Sequence, residues 1–367
     1  MRWISAVRPP GRSLHVLLLA MALTALAAPA AQAQPFGAWV TFTGQPTLGY
    51  INIPASTALN PTGAFTIEAW VAVSNSTTGE DCRSIAGKNY TKAWWIGQCT
   101  VGGQPTLRSY LKGGGSAKNG GIIPRGVWTH VAVTFDGSMR RHYINGELAA
   151  SFAETGPLTT SPGDPMQIGS DIQWMHTPTG AIDEVRVWNV ARSISQIRSN
   201  LNVRITAPQA GLVGVWALDG SPGDIVGGHG GAVMGSGVGF FTFPVALSCG
   251  SSTVNALCLN TRFSITAKWR TNPTPGTPTD GDAHVVVAGP NSGIFWFFSS
   301  DNWEVMVKSL NACGLNNRYW VFSAATTNVF YRMEVFDIRA GVNKIYFNYP
   351  GPPAPAVTDV DAFATCP

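Results

Sequence analysis

GVWTHVAVTFDGSMRRHYING, residues Gly126–Gly146, is the stretch that decides the fold. Apolar and polar residues alternate over Trp128–Phe135 and again over Arg141–Ile144. A period of two marks strands with one buried face. Asp136-Gly137 breaks the first run and Asn145-Gly146 ends the second. Such pairs supply the positive φ angles that tight hairpins require. The stretch therefore reads as an antiparallel meander.

The same pattern extends outward. Ala38–Phe42, Gly49–Ile53, Ala64–Val73, Ser84–Gly87, Ala93–Gly97 and Thr106–Leu111 read as strands before the meander, and Met166–Gly169, Ala181–Val190 and Leu212–Leu218 after it. Ser193–Asn200 is the one clear helical turn, and a glycine-rich tail, Gly227–Gly239, closes this part. Further strands are expected at Phe263–Trp269, His284–Val287, Gly293–Phe298, Trp303–Val307, Tyr319–Phe322, Val329–Ile338 and Lys344–Tyr349. Seven short strands with turns between them suggest a second sandwich. The expected organisation is all-β: a jelly-roll β-sandwich over 34–239, then a smaller β-sandwich over 240–367. Ile294–Phe298 (IFWFF) is a continuous apolar run, expected to be a central strand covered on both faces.

Residues 1–33 read as a signal peptide, with Arg2, Arg8 and Arg12 ahead of an apolar Val16–Ala28 and a small-residue site at Ala31-Gln32-Ala33. The expected protein is secreted, extracellular or periplasmic, without a membrane anchor. The whole chain carries a formal charge of +4, which falls to about +1 without those arginines. A near-neutral chain lacks the basic clusters that nucleic acid demands. All six cysteines (Cys82, Cys99, Cys249, Cys258, Cys313 and Cys366) lie beyond the signal. An even count there reads as disulfides. Cys82 and Cys99 are expected to pair locally, and the other four allow three connectivities.

The meander resembles the signature of laminin-G-like, concanavalin A-like jelly-roll domains, which include the pentraxins. The matching positions are Trp128, His130, Val131, Ala132, Asp136, Gly137, Tyr143, Asn145 and Gly146. FTIEAWV (Phe65–Val71), SIAGKN (Ser84–Asn89), MQIGSD (Met166–Asp171) and GAIDEVRVWNVARSISQI (Gly180–Ile197) extend the likeness. The resemblance implies a module that binds rather than catalyses, with an extracellular glycan or protein as partner. It also implies calcium held near the closing strand, where Asp183 stands. Asp183 fits the second of the two ligand positions; Thr43 occupies the first and supplies no charge, so only weak binding is expected, and no other cofactor is. Leu257–Phe263, Ser292–Leu310, Asn311–Phe322 and Thr326–Ile338 resemble an uncharacterised C-terminal module of secreted bacterial proteins.

Three readings of function compete. For recognition, Trp174 and His176 sit in a loop between two strands, and loops on a rigid sandwich concentrate function. Arg108, Tyr110 and Lys112 alternate and so share one strand face. For catalysis, Glu68 and Asp183-Glu184 are the candidate carboxylates, but neighbours on a regular strand point to opposite faces, so no pair is expected on one side. His130, inside a strand, is expected to be a hydrogen-bonded scaffold residue. A structural or surface-assembly protein without a small ligand is the third reading. Trp70, Trp128 and Trp188 are expected in the core, and one of Trp94 and Trp95 is expected to be exposed. Asn75 and Asn89 head formal glycosylation sequons.

Overall fold

The computed structural model describes residues 37–44, 48–74, 81–171, 176–242, 245–271, 280–351 and 354–367. The signal segment, Asn75 and Trp174 lie outside them. Every strand pairing among the described residues is antiparallel.

The meander forms as its residues dictate. Thr129–Phe135 pairs with Met139–Ile144, and Met139–Ile144 with Glu147–Ala153. At the first turn the Asp136 carboxylate accepts from Ser138 N at 2.9 Å and Met139 N at 2.8 Å, and meets Arg141 Nη1 at 2.6 Å. The Arg141 contact is the largest of the influences holding that carboxyl well below the usual range. At the second turn Asn145 and Gly146 adopt φ of 50° and 74°, the left-handed geometry of a type I′ hairpin.

This hairpin belongs to a larger sheet. In spatial order it runs Glu147–Ala153, Met139–Ile144, Thr129–Phe135, Phe65–Ser74, Thr179–Trp188, Ala38–Thr43 and Val238–Thr242, with Leu212–Trp216 also on Thr179–Trp188. It carries the helix Ile194–Asn200 and is called here the helix-bearing sheet. The helix starts on a capping box: Ser193 Oγ accepts from Gln196 N, and Gln196 Oε1 accepts from Ser193 N. The facing sheet runs Ala232–Gly235, Gly49–Ile53, Met166–Ile168, Cys82–Gly87, Trp95–Val101, Gln104–Tyr110 and Lys118–Ile122. It holds the Cys82–Cys99 disulfide and is called the disulfide-bearing sheet. Between the two lie Phe65, Ile67, Val71, Ile85, Trp94, Ile96, Leu107, Val133 and Ile182, all buried. The glycine-rich tail is not a loop throughout, because Ala232–Gly235 and Val238–Thr242 each add an edge strand.

The second sandwich also has two sheets. One orders Ala256–Leu259, Phe263–Arg270, Phe330–Asp337 and Val342–Asn348, with Asp280–Asp282 on Phe263–Arg270. The other orders His284–Gly289, Ser292–Trp296, Trp303–Ala312, Arg318–Ala325 and Val357–Phe363. Leu257, Phe263, Phe295, Val307, Val321 and Met333 fill the space between them. Cys249–Cys258 and Cys313–Cys366 complete the disulfides. IFWFF is covered on one side only: Phe295 and Phe297 are buried, whereas Phe298 is half exposed and Ile294 and Trp296 are partly exposed. Strand alternation persists through the apolar run, so the outward side chains remain on a solvent face.

The two sandwiches meet through the outer faces of the helix-bearing sheet and of the first C-terminal sheet. Trp70 stacks on Phe347 with centroids 6.5 Å apart, and its Nε1 donates to Leu201 O at 3.0 Å. Leu201 and Ile345 are buried beside it. Tyr349 Oη donates to Asn145 O at 2.9 Å, and the Arg198 guanidinium lies 3.6 Å over the Tyr349 ring. The hairpin whose sequence announced the fold is therefore also a seat for the second sandwich.

Candidate ligand-binding face

The outward surface of the disulfide-bearing sheet is where the sequence-nominated residues gather. In Trp95–Val101 the side chains alternate. Ile96 enters the core and Gln98 Nε2 reaches inward to Ile123 O at 2.8 Å, which leaves Trp95, Gly97 and Cys99 on the outside. In Gln104–Tyr110, Leu107 is core, so Arg108 and Tyr110 face out. Register then places Tyr110 opposite Trp95 and Arg108 opposite Gly97. The rings of Trp95 and Tyr110 meet edge-on at 5.6 Å, and Tyr90 continues the row at 5.4 Å from Tyr110.

Trp95 is only 2% exposed, although it points away from the core. Glycines explain how it lies flat. A Cβ on Gly97 would stand 2.2 Å from its Cη2, and one on Gly87 2.6 Å from its Cδ1. Both Trp94 and Trp95 are therefore buried, one on each side of the sheet, against the expectation that one is exposed. The half-buried Tyr90 and Tyr110 are the accessible aromatics of the row.

A polar chain runs alongside. Trp95 Nε1 donates to Ser84 Oγ at 2.9 Å, and Ser84 Oγ donates to Asp171 Oδ2 at 3.3 Å. His176 Nδ1 lies 3.4 Å from the same carboxylate oxygen, and its backbone carbonyl accepts from Ser84 N at 2.8 Å. The His176 side chain is 32% exposed. Arg108 Nε donates to Asn119 Oδ1 at 2.6 Å, and its Nη1 reaches Cys82 Sγ at 3.6 Å. The structure thus brings Arg108, Tyr110 and His176 onto one face. Trp95, Tyr90, Ser84 and Asp171, which sequence reasoning did not nominate, join them. One signal was available: a glycine two residues after a strand tryptophan leaves room for the ring to lie down.

Ser84, Asp171 and His176 are not a catalytic triad. A nucleophilic serine needs the imidazole between itself and the carboxylate. Here the carboxylate lies in the middle, and the buried Ser84 Oγ accepts from an indole. The chain suits fixing of side-chain orientation and hydrogen bonding to a ligand.

The carboxylates of the helix-bearing sheet are differently placed. A bulge between Asp183 and Arg186 sets Glu184 and Val185 together against Ala69 of the partner strand. Glu184 takes φ of 49° there. Ile182 and Val185 both face the core, so Asp183 and Glu184 both face outward. This corrects the expectation that adjacent strand residues point opposite ways: the bulge, not the alternation, governs. No groove results, because Glu68, Asp183 and Glu184 are all buried. Glu68 Oε1 binds Arg192 at 2.7 Å and Trp188 Nε1 at 2.9 Å. Glu184 binds Arg186 at 2.8 Å, and Arg186 also donates to Asn200 O and Val203 O. His130 is buried 3.7 Å from Glu68. Burial, then Arg186 and Arg192, hold it well below its ordinary range, so it is neutral. The network seats the helix and the following chain on the sheet. Trp70 and Trp188 are buried in this outer layer rather than between the sheets, and Trp128 is partly buried there.

For calcium, Asp183 is poorly suited. Burial, then Glu184, pushes it well above the usual carboxylate range, which disfavours the charged form that a hard cation requires. Thr43 pairs with Thr179 while Ile182 pairs with Val40, which sets Thr43 and Asp183 toward opposite ends of that strand pair. Among the described residues no group of three or more His, Cys, Asp and Glu could hold a metal. Asn89 is likewise unsuited to glycosylation: it is buried, donates to Asp164 at 2.8 Å and accepts from Thr91 Oγ1 at 2.7 Å.

Residues 45–198 match the family described as the concanavalin A-like lectin/glucanases superfamily. That segment is a laminin-G-like domain, as the Trp128–Gly146 signature implied. Over 84 residues the chain is 34% identical to pappalysin-1 of Mus musculus; these are 22% of this chain and 5% of that protein, so only a small part of the relative is spanned. A putative carbohydrate-binding protein from Bacteroides ovatus aligns at 23% identity over 55% of this chain and 59% of its own, with a TM-score of 0.45. The SAP-like pentraxin of Limulus polyphemus aligns at 15% identity over 56% and 93%, with a TM-score of 0.39.

Proposed function

We propose that this chain is an exported, non-catalytic glycan-binding protein whose recognition surface is the outward face of the disulfide-bearing sheet around Tyr90, Tyr110, Arg108 and His176. One observation carries the reading. The opposite face of the domain is covered by its helix and by the second sandwich, through Trp70, Leu201 and Ile345. The face around Tyr110 instead joins half-buried tyrosines to fixed polar groups. Sugars call for that mixture: aromatic surface against C–H groups, with a few polar side chains to fix hydroxyls.

The superfamily description covers lectins and glucanases alike. Hydrolysis needs two carboxylates flanking a bound sugar. Glu68 and Glu184 are instead buried against arginines, and Asp183 is itself buried, which supports binding over cleavage. Three disulfides support an oxidising destination. Among the described residues no helix is long and apolar enough to cross a membrane.

A glycan array probed with the purified chain, with calcium and with chelator, tests the proposal. Binding to a glycan class is expected, with Tyr110→Ala weakening it by about tenfold or more at unchanged folding, the order of one lost aromatic contact. An array without a hit in both conditions sinks it.

A further inference from the structure

The apolar run Ile294–Phe298 has the composition of a strand covered on both faces, yet the chain itself covers only one. Phe295, Val305, Val307 and Val321 point into the core of the second sandwich, so the residues that alternate with them point away from it. Register joins those residues into rungs. Val286, Ile294, Met306 and Ala324 form one rung over four strands. Trp296 pairs with Trp303 on one side of it, and Lys308 with Phe322 on the other.

This outward face is open and apolar. Met306 is 52% and Trp303 54% exposed, and Ile294, Trp296 and Phe322 are partly exposed. An antiparallel sheet with one wet face carries polar side chains on it, and a contiguous apolar patch of several hundred Å² marks an interaction surface. The first sandwich does not supply the missing layer, because it packs on the other C-terminal sheet through Ile345 and Phe347.

Charge and size select the occupant. Along the face Arg318 is matched by Asp361, and Glu304 turns in to accept from Phe297 N at 2.7 Å. Lys308 is the remaining charge, with no ion pair among the described residues and its ammonium 5.0 Å over the Phe322 ring. It stands level with Ser292, where the neighbouring strand begins. From that rim its stem can cover apolar surface while the ammonium stays in water. The face therefore has no field that draws a strongly charged partner, and apolar burial must drive what binds. Its five strands are five to ten residues long. At ~4.8 Å between strands and ~3.3 Å per residue it measures roughly 24 by 20 Å, or about 500 Å² in plan. Two such faces together bury about 1,000 Å², the lower limit of a specific association. Sheet faces pack well on sheet faces, with apolar side chains interdigitating between them. We propose that a second copy of this chain supplies the missing layer, the two C-terminal sandwiches packing face to face about a two-fold axis in a dimer centred near Met306.

Sedimentation equilibrium of the purified chain tests this. A face at the lower size limit should give a Kd of about micromolar order, so the mass should rise toward twice that of one chain by ~100 μM. Met306→Lys puts an unpaired charge into the seam and should raise that Kd by about a hundredfold or more. Its urea midpoint measured on the dilute monomer should match the parent's, because Met306 is exposed in the single chain. Ala324→Asp, exposed on the next strand of the same rung, should act alike. Leu148→Lys, at an exposed apolar residue of the first sandwich, should leave the dimer intact. The proposal is overturned if the parent stays monomeric at ~100 μM, far above a micromolar Kd, including the case in which that monomer sediments with phosphatidylcholine vesicles and the face belongs to a lipid surface. It is equally overturned if the two seam variants dimerise as the parent does.

Discussion

His142 should make this protein acid-sensitive in a window set by its own burial. Its Nδ1 lies 3.2 Å from Gly120 O, and its Nε2 lies 2.7 Å from Ser109 Oγ. A carbonyl oxygen only accepts, so Nδ1 carries the proton and Nε2 accepts from the serine hydroxyl. Arg140 Nη1 donates to Ser109 O at 3.0 Å, and the chain of contacts ties the two sheets of the first sandwich together. Burial lowers His142 to about 4; the Gly120 contact opposes this and Arg140 adds to it. The unfolded chain, with an ordinary imidazole near 6.5, binds the proton first as pH falls. Stability attributable to this residue is therefore intact above pH ~6.5, is lost on acidification, and is fully lost below about 4. The gap corresponds to about 3 kcal/mol. His142→Gln keeps a donor for Gly120 and an acceptor for Ser109 but does not titrate. Urea unfolding of both proteins, disulfides intact, between pH 7.5 and 4 would show the parent losing about 3 kcal/mol more than the variant. Subtraction removes other acid-sensitive groups, including His130. A difference that stays constant across that range refutes the assignment.

Three further substitutions address the seating of the helix and the junction of the sandwiches. Arg186→Met removes the nearer of two arginine partners of buried Glu184 (Arg204 stays at 3.4 Å) and the donor to Asn200 O and Val203 O. It should cost about 3–5 kcal/mol in urea unfolding, as for a broken buried pair, and a cost under ~1 kcal/mol contradicts a role in seating the helix. Tyr349→Phe should cost about 1 kcal/mol by losing its bond to Asn145 O. Gly146→Ala should cost more, because φ there is 74° and a Cβ would stand 2.6 Å from Tyr349 Oη. Equal costs in the same assay would mean the hairpin does not seat the second sandwich.

How much of this was legible depended on whether a feature is local. Alternation located Phe65–Ser74 and Thr129–Phe135 closely, because one face of each meets the core. Lys118–Ile122 (KNGGI) and Asp280–Asp282 (DGD) have no apolar alternation and exist as strands only because a neighbour pairs with them. The Asp183-Glu184 bulge was invisible for the same reason: the sequence alternates acceptably there, and the extra residue is accommodated only against Phe65–Ser74. At the candidate face, Arg108 and Tyr110 share a strand and so could be found by counting. Trp95 needed the register with Tyr110. Ser84 and Asp171 needed a contact spanning 87 residues, which no local pattern encodes. Trp174 was nominated from its loop and lies outside the described residues.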